Sequence, residues 1–317
     1  MVKSYLELRE VIDKKNRGLR DKVMSLEDAI GLIRDGDHVA SGGCHYSGTA
    51  MAAVWEMIRQ KKKDITYSRS ISSTEGDLLL VGGVVRRIVT SWFSPGVTWG
   101  VSRVMRHYME KKLAEFEEWS HMSLGLRYRA GAMGVPFIPA RSMLGSDLFP
   151  RLADIKEIDC PYTGEKLALI PALNPDVAIL HTQRCDAYGN VQSDGFPFMD
   201  RDIALAADKV IVTTERIVSN DQIRRAPDRT GIGFFCVDAV VEVPYGSLPH
   251  ECYGQYQPAF KHMDYYVKLM MGKGPDGVKE YLDEYVYSPA SWNEYIEKIG
   301  FQNILEATTE GRGIYND

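Results

Sequence analysis

The residues from Ser41 to His45 read Ser-Gly-Gly-Cys-His and close a short apolar run that begins at His38. A double glycine lets a ligand approach the main chain, and free amides at the start of a following helix can bind an anion or polarise a carbonyl. The crevice beyond the carboxyl end of a strand is the usual ligand site of open α/β sheets. No Gly-Lys-Ser/Thr and no Gly-x-Gly-x-x-Gly pattern follows, so a nucleotide loop is not indicated. A tight structural turn accounts for the same residues equally well. A second segment, Ser70 to Asp77, ends another strand-like run with hydroxyls and two carboxylates. Glu75 sits where a strand would present it to a cleft, as a nucleophile or an acid/base group. The serines, Thr74 and Asp77 are also what a helix N-terminus before Leu78-Leu79-Leu80 requires. In Arg184 to Asn190, Asp186 and Gly189-Asn190 have turn chemistry and need no further role. The histidines and cysteines show neither HExxH nor CxxC spacing, so no metal site is expected.

These segments need elements to hold them. Ser25-Leu26-Glu27-Asp28 is a capping-box variant that opens a helix with Leu26, Ile30 and Ile33 on one face. Thr49 to Arg59 reads as a second helix, Ile65 to Ser72 and Val85 to Trp92 as strands, and Val101 to Glu118 as one long helix. Ala130 to Met143 passes from small residues into the strand-like Val135-Pro136-Phe137-Ile138-Pro139. Asp176 to His181, Val210 to Thr214 and Val237 to Val243 are continuous apolar, β-branched runs, which means strands buried on both faces. The expected fold class is therefore α/β, an open and mostly parallel sheet layered with helices. Its C-terminal part, His262 to Ile299, is helix-rich, and the stripe Tyr281, Tyr285, Trp292 and Tyr295 reads as packing. Residues 1–24 read as a helical arm and 25–317 as one α/β domain. Charge and Pro161-Gly164 interrupt the pattern between Arg151 and Lys166, where a hairpin or insertion fits as well as a boundary.

Composition narrows the function. The 317 residues carry 38 basic and 43 acidic side chains, a net charge of -5, and are 44% hydrophobic. This is an ordinary globular composition, with no general attraction for nucleic acid or an anionic membrane. Lys61-Lys62-Lys63 and Lys111-Lys112 read as solvated helix ends. Met1 to Met24 contains no apolar run long enough for a signal peptide, and no stretch approaches the length of a membrane span. Five widely spaced cysteines do not make a disulfide framework. The expectation is a reduced, cytoplasmic chain.

The order of motifs resembles the A (alpha) subunits of family I CoA-transferases, of the glutaconate type, from about Ser25 to the C-terminus. The residues that carry the resemblance are Gly36-Asp37-His38-Val39-Ala40-Ser41-Gly42-Gly43, Asp77 with the apolar run after it, Gly134-Val135-Pro136-Phe137 and Ile223-Arg224-Arg225. Val237-Asp238-Ala239-Val240-Val241 follows, leading to Pro244-Tyr245-Gly246 and Cys252-Tyr253-Gly254. The resemblance implies an active site shared with a B (beta) subunit in a heterotetramer or larger assembly. Its reaction moves CoA from an acyl-CoA to a carboxylic acid through a glutamyl anhydride and a glutamyl-CoA thioester. CoA is a substrate there, and neither metal nor organic cofactor is used. The nucleophilic glutamate belongs to the B (beta) subunit, in a Ser-Glu-Asn-Gly motif that this chain lacks.

Aligning Asp77 with the family's aspartate puts Ser73-Thr74-Glu75-Gly76 in the A-type loop, so Glu75 is expected to line the site. Ser41, Gly42, Gly43, Cys44, His45, Arg69, Ser72 and Ser73 are the expected substrate-binding residues around it. Two departures bear on the substrate. The family's Gly-Gly-Phe is Gly42-Gly43-Cys44 here and its downstream proline is Ala50, while the second loop is bulkier and more hydroxylated. The acid need not be glutaconate. A related branch uses the scaffold for CoA-thioester hydrolysis, ring opening or decarboxylation. His121 falls near an acidic position of that branch, where a near-neutral pKa would suit acid/base work; a solvated helix end or subunit contact is the alternative. Arg69 and Arg103 could pair with a distal substrate carboxylate, or form surface ion pairs. A non-catalytic ligand-binding chain on the same fold is the remaining alternative.

Overall fold

A computed structural model describes residues 2–152 and 154–313, with side chains up to residue 308. Its nine-stranded sheet grows in two directions from β1 (His38–Ser41). On one side β2 (Ile65–Ser72), β3 (Val85–Phe93) and β4 (Glu115–Glu118) are added in turn, all parallel. The smaller sheet comes next in the chain, with β5 (Phe137–Ala140), β6 (Lys156–Asp159) and β7 (Lys166–Pro171) antiparallel in the order β5-β7-β6. On the other side of β1 lie β8 (Val177–Asp186), β10 (Lys209–Val218) and β12 (Ala239–Glu242), again parallel. β9 (Val191–Gln192) and β11 (Thr230–Ile232) continue antiparallel beside the far end of β8.

Alternation along each strand feeds two cores, one on each face. Val39 joins the core built on α2 (Leu26–Gly31), α3 (Met51–Arg59) and α4 (Thr74–Val81). Ala40 joins the other, with Leu124 and Tyr128 of α6 (His121–Met133) and Ile203 of α7 (Asp200–Ala206). Both faces are therefore dry, which is why the inner strands read as unbroken apolar runs. Ser25 caps α2 as its sequence demands, its hydroxyl accepting the Asp28 amide at 3.0 Å. The short α8 (Asn220–Arg224) follows β10, and the C-terminal part is α9 (Phe260–Lys273), α10 (Pro275–Leu282), α11 (Trp292–Ile299) and α12 (Phe301–Gly313). Its aromatic stripe is packing: Tyr281 stacks on Tyr285, and Trp292 lies 4.5 Å from Tyr295 and 5.9 Å from Trp55 between ring centroids.

The N-terminal segment forms α1 (Tyr5–Lys14), which buries no side chain and is tethered by Lys3 to Asp208 at 2.7 Å and by Lys15 to Asp238 at 2.9 Å. Its extended end adds to the outer edge of β12, with the Met24 amide donating to the Val240 carbonyl at 3.0 Å. No described helix is long and apolar enough to cross a membrane.

Two sequence expectations need correction. The long helix expected over Val101 to Glu118 is α5 (Arg103–Glu110) followed by β4. Lys112 takes a left-handed conformation, φ 54°, and ends the helix. The alternating Glu115-Phe116-Glu117 then runs on as an edge strand, with Phe116 inward against Phe93 and Glu117 between Arg87 and Arg127. Likewise Ala130–Met133 is not the approach to a strand but the last turn of α6, closed by Gly134 at φ 68°. Between Arg151 and Lys166 the interruption is the β6–β7 hairpin.

Candidate active site

Since β2 is built to one side of β1 and β8 to the other, the carboxyl ends of β1 and β8 open a crevice at the point where strand order reverses. Ser41, buried, is the last residue of β1, and the Gly42-Gly43 loop leaves from it. The Gly42 amide donates to Ile179 of β8 at 2.9 Å. Gly43 must be glycine: its φ is 69°, and a Cβ would lie 2.2 Å from the Ser47 carbonyl oxygen. Its amide donates at 2.8 Å to Oδ1 of Asp200, the first residue of α7. Burial pushes the Asp200 carboxyl up to about 6, while the Gly43 amide and Arg69 pull it down. Cys44 and Ser47 exchange two backbone hydrogen bonds at 2.9 Å, and burial raises the Cys44 thiol. His45 is held left-handed at φ 55°, and burial lowers its pKa.

The second loop is locked to the first by Arg69. On β2, Ser68, Ser70 and Ser72 face α6, whereas Tyr67 and Arg69 face α3 and α4. The Arg69 guanidinium donates from Nε to the Gly42 carbonyl at 3.0 Å and from Nη2 to the Thr49 hydroxyl at 2.8 Å. Its Nη1 lies 2.9 Å from Oε1 of Glu75, and neither side chain is exposed. Glu75 also accepts the Ser73 amide on both oxygens at 3.0 Å. The carboxylate thus caps its own helix, α4, in place of the Ser73 hydroxyl, which makes no cap bond. The hydroxyls of Ser72 and Ser73 are buried without a hydrogen-bond partner among the described residues. Such groups are rare, and those here sit at the strand end that borders the crevice.

Two buried groups that the sequence did not single out complete the frame. His250 joins the loops, with Nδ1 2.8 Å from the Thr49 hydroxyl and Nε2 2.7 Å from that of Thr74; burial holds it well below the usual histidine range. Asp77 accepts Ser102 at 2.6 Å and Tyr266 at 3.1 Å, and burial pushes it up to about 7. Below the first loop, His181, Glu215 and Cys252 come within 4.8 Å of one another, as no spacing in the sequence suggested. Glu215 is already saturated there: it accepts His181, Tyr256 and the amides of Tyr245 and Gly246 at 2.6–3.1 Å. The Pro244-Tyr245-Gly246 and Cys252-Tyr253-Gly254 blocks thus supply part of this support.

Two other candidates lie apart from Glu75. His121 is exposed at the start of α6, its Nδ1 2.5 Å from the Ser91 hydroxyl and 3.4 Å from that of Ser70. It stands on the α6 face of β2, opposite the Arg69–Glu75 pair. Arg103 is committed to the carbonyls of Met271 and Gly272 at the end of α9.

The coenzyme A transferase family model matches residues 23–243 of this chain. The chain belongs to that family. An uncharacterized protein of Archaeoglobus fulgidus is 41% identical over 303 residues, 95% of this chain and 67% of its own length. The A-type chain of the glutaconate CoA-transferase of Acidaminococcus fermentans is 34% identical over 90% of this chain and 93% of its own. The crystal structure of that organism's glutaconate coenzyme A-transferase superposes with a TM-score of 0.84 over 90% of this chain and 95% of the other, at 33% identity. The A-type chain of the 3-oxoadipate CoA-transferase of Pseudomonas knackmussii is 35% identical over 88% of this chain and 98% of its own. The chain is thus a CoA-transferase polypeptide on the expected open α/β fold.

Proposed function

We propose that this chain is the cytoplasmic A-type (alpha) subunit of a heteromeric CoA-transferase, which moves CoA between an acyl-CoA, of a glutaconate-like or related acid, and a free carboxylate. The commitment of Glu75 carries the reading. A nucleophilic carboxylate needs a free oxygen lone pair facing substrate, and both oxygens of Glu75 are taken by Arg69 and the Ser73 amide in a dry interior. Asp200 is bound to Gly43. The nucleophile therefore comes from a partner, in keeping with relatives whose names mark them as one of two kinds of subunit.

In this reading the glutamate of the B (beta) subunit attacks the thioester carbonyl and expels CoA thiolate, leaving an acyl-glutamyl anhydride. The thiolate then attacks the glutamyl carbonyl, releasing the acid and forming glutamyl-CoA. The acceptor carboxylate attacks that thioester, expels the thiolate and forms a second anhydride, whose acyl carbonyl the thiolate attacks to give the new acyl-CoA and the free glutamate. No metal or further cofactor is called for. This chain supplies the wall of the cleft: Ser41 to His45 and Ser70 to Asp77, with the Ser72 and Ser73 hydroxyls free to meet substrate. The two loops are fixed before substrate arrives, so no free energy of binding is lost in ordering them.

The test is co-expression with the beta subunit, followed by incubation with glutaconyl-CoA and acetate. Acetyl-CoA that disappears when the partner's glutamate becomes alanine supports transfer. Free CoA alone points to hydrolysis and carbon dioxide to decarboxylation, and either result would turn attention to His121. No turnover at all would favour a ligand-binding chain.

A further inference from the structure

A cavity of about 280 Å³ lies between α5 and the carboxyl ends of β3 and β4. Trp92, Phe93, Val101, Met105, Met109 and Phe116 form its walls. It adjoins the second loop directly. The Phe93 ring lies so close to Gly76 that a Cβ there would sit 2.6 Å from Cζ, and the Ser94 amide donates to the Ser72 carbonyl at 3.1 Å. No basic side chain lines it among the described residues; its charged groups are Glu117 and Glu118. Glu117 is already neutralised by Arg87 and Arg127. The nearby guanidiniums are committed elsewhere, Arg69 to Glu75 and Arg103 to the carbonyls at the end of α9.

We propose that this cavity is the acyl pocket and that it takes an uncharged hydrocarbon chain of the thioester substrate. Within the acids admitted under the proposed function, on which this inference rests, it selects against a second carboxylate. A distal carboxylate entering the cavity loses its water, meets no cation and faces Glu118, whereas each methylene of a plain chain gains by leaving water. Trp92, 48% exposed, stands at the mouth of the cavity on the same sheet edge as the two glycine and serine loops.

The experiment uses the complex of this chain with its beta partner, with acetate or butanoate as acceptor and acetyl-, butanoyl-, hexanoyl- and glutaryl-CoA as donors. Expected is a rise in kcat/KM of about fourfold per methylene from acetyl to hexanoyl, with glutaryl-CoA below hexanoyl-CoA. Met105→Trp, which fills the cavity, brings the hexanoyl-to-acetyl ratio down toward one, and Val101→Phe at the mouth does so by a second route if Met105→Trp fails to fold. A series flat in chain length, glutaryl-CoA preferred, or a ratio indifferent to both variants overturns the proposal while leaving transfer intact. Should the complex transfer nothing, the proposed function fails on its own, and calorimetric titration with hexanoyl-CoA decides the pocket: tenfold or more weaker binding in the variants supports it, and equal binding overturns it.

Discussion

Nη1 of Arg69 lies 2.9 Å from Oε1 of Glu75 with both side chains shut from solvent, and the same guanidinium reaches Gly42 and Thr49. One buried cation thus ties the end of β1, the end of β2 and the first turn of α4 together. Removing only one charge leaves the other buried and unpaired. Glu75→Gln should therefore cost about 3–5 kcal/mol by urea unfolding, and the double variant Arg69→Met/Glu75→Gln clearly less than the sum of the singles. Additive losses would show that the two do not act as a pair.

At Gly43 the constraint is steric. A methyl group meets the Ser47 carbonyl at 2.2 Å and the Gly48 carbonyl oxygen at 2.6 Å, and the left-handed backbone alone costs about 1–2 kcal/mol for an L-residue. Gly43→Ala should lose at least that much stability and reduce turnover of the complex tenfold or more, whereas Gly145→Ala, where nothing crowds the added methyl group, bears the backbone cost without the loss of turnover. Equal activity in the two variants would remove the first loop from the site.

Asp200 is predicted to hold the first loop shut. Asp200→Ala leaves the Gly43 amide without its acceptor, at a cost of about 1–3 kcal/mol. Hydrogen exchange of the peptide spanning residues 39–45 should accelerate in that variant and recover in Asp200→Asn, whose amide oxygen can accept the same bond. Exchange unchanged in Asp200→Ala would show that the loop is held by its other contacts.

Strands buried on both faces were the most legible part of this chain. The bounds of β1 and β2 read from sequence coincide with those observed, because unbroken apolar runs ending in Asp35-Gly36-Asp37, Gly42-Gly43 and Ser73 leave little choice of register. The edge was harder. Glu115–Glu118 has a partner on one side only, so its charged alternation resembled the end of a helix. The site was legible as two loops but not as a lock. His250 meets Thr49 and Thr74 across separations of 201 and 176 residues, and Asp200 meets Gly43 across 157, pairings that only the sheet order creates. Arg69 carries the right chemistry for a carboxylate, and the carboxylate it holds is this chain's own.

Burial raises Asp77 from its ordinary value to about 7, against the opposing pull of Ser102 and Tyr266. The folded chain then keeps the Asp77 proton up to about pH 7, while the unfolded chain releases it near pH 4. Folding takes up a proton in that window, so the contribution of Asp77 to stability is full below about pH 4, declines as pH rises to about 7 and is level above. Asp77→Asn carries no proton to lose and keeps an oxygen for Ser102 and Tyr266. The variant should therefore melt above the native chain at pH 8 and draw level with it as the pH is lowered to 5. A difference in Tm that is constant over this range would mean that Asp77 stays ionised in the fold, with Ser102 and Tyr266 outweighing its burial.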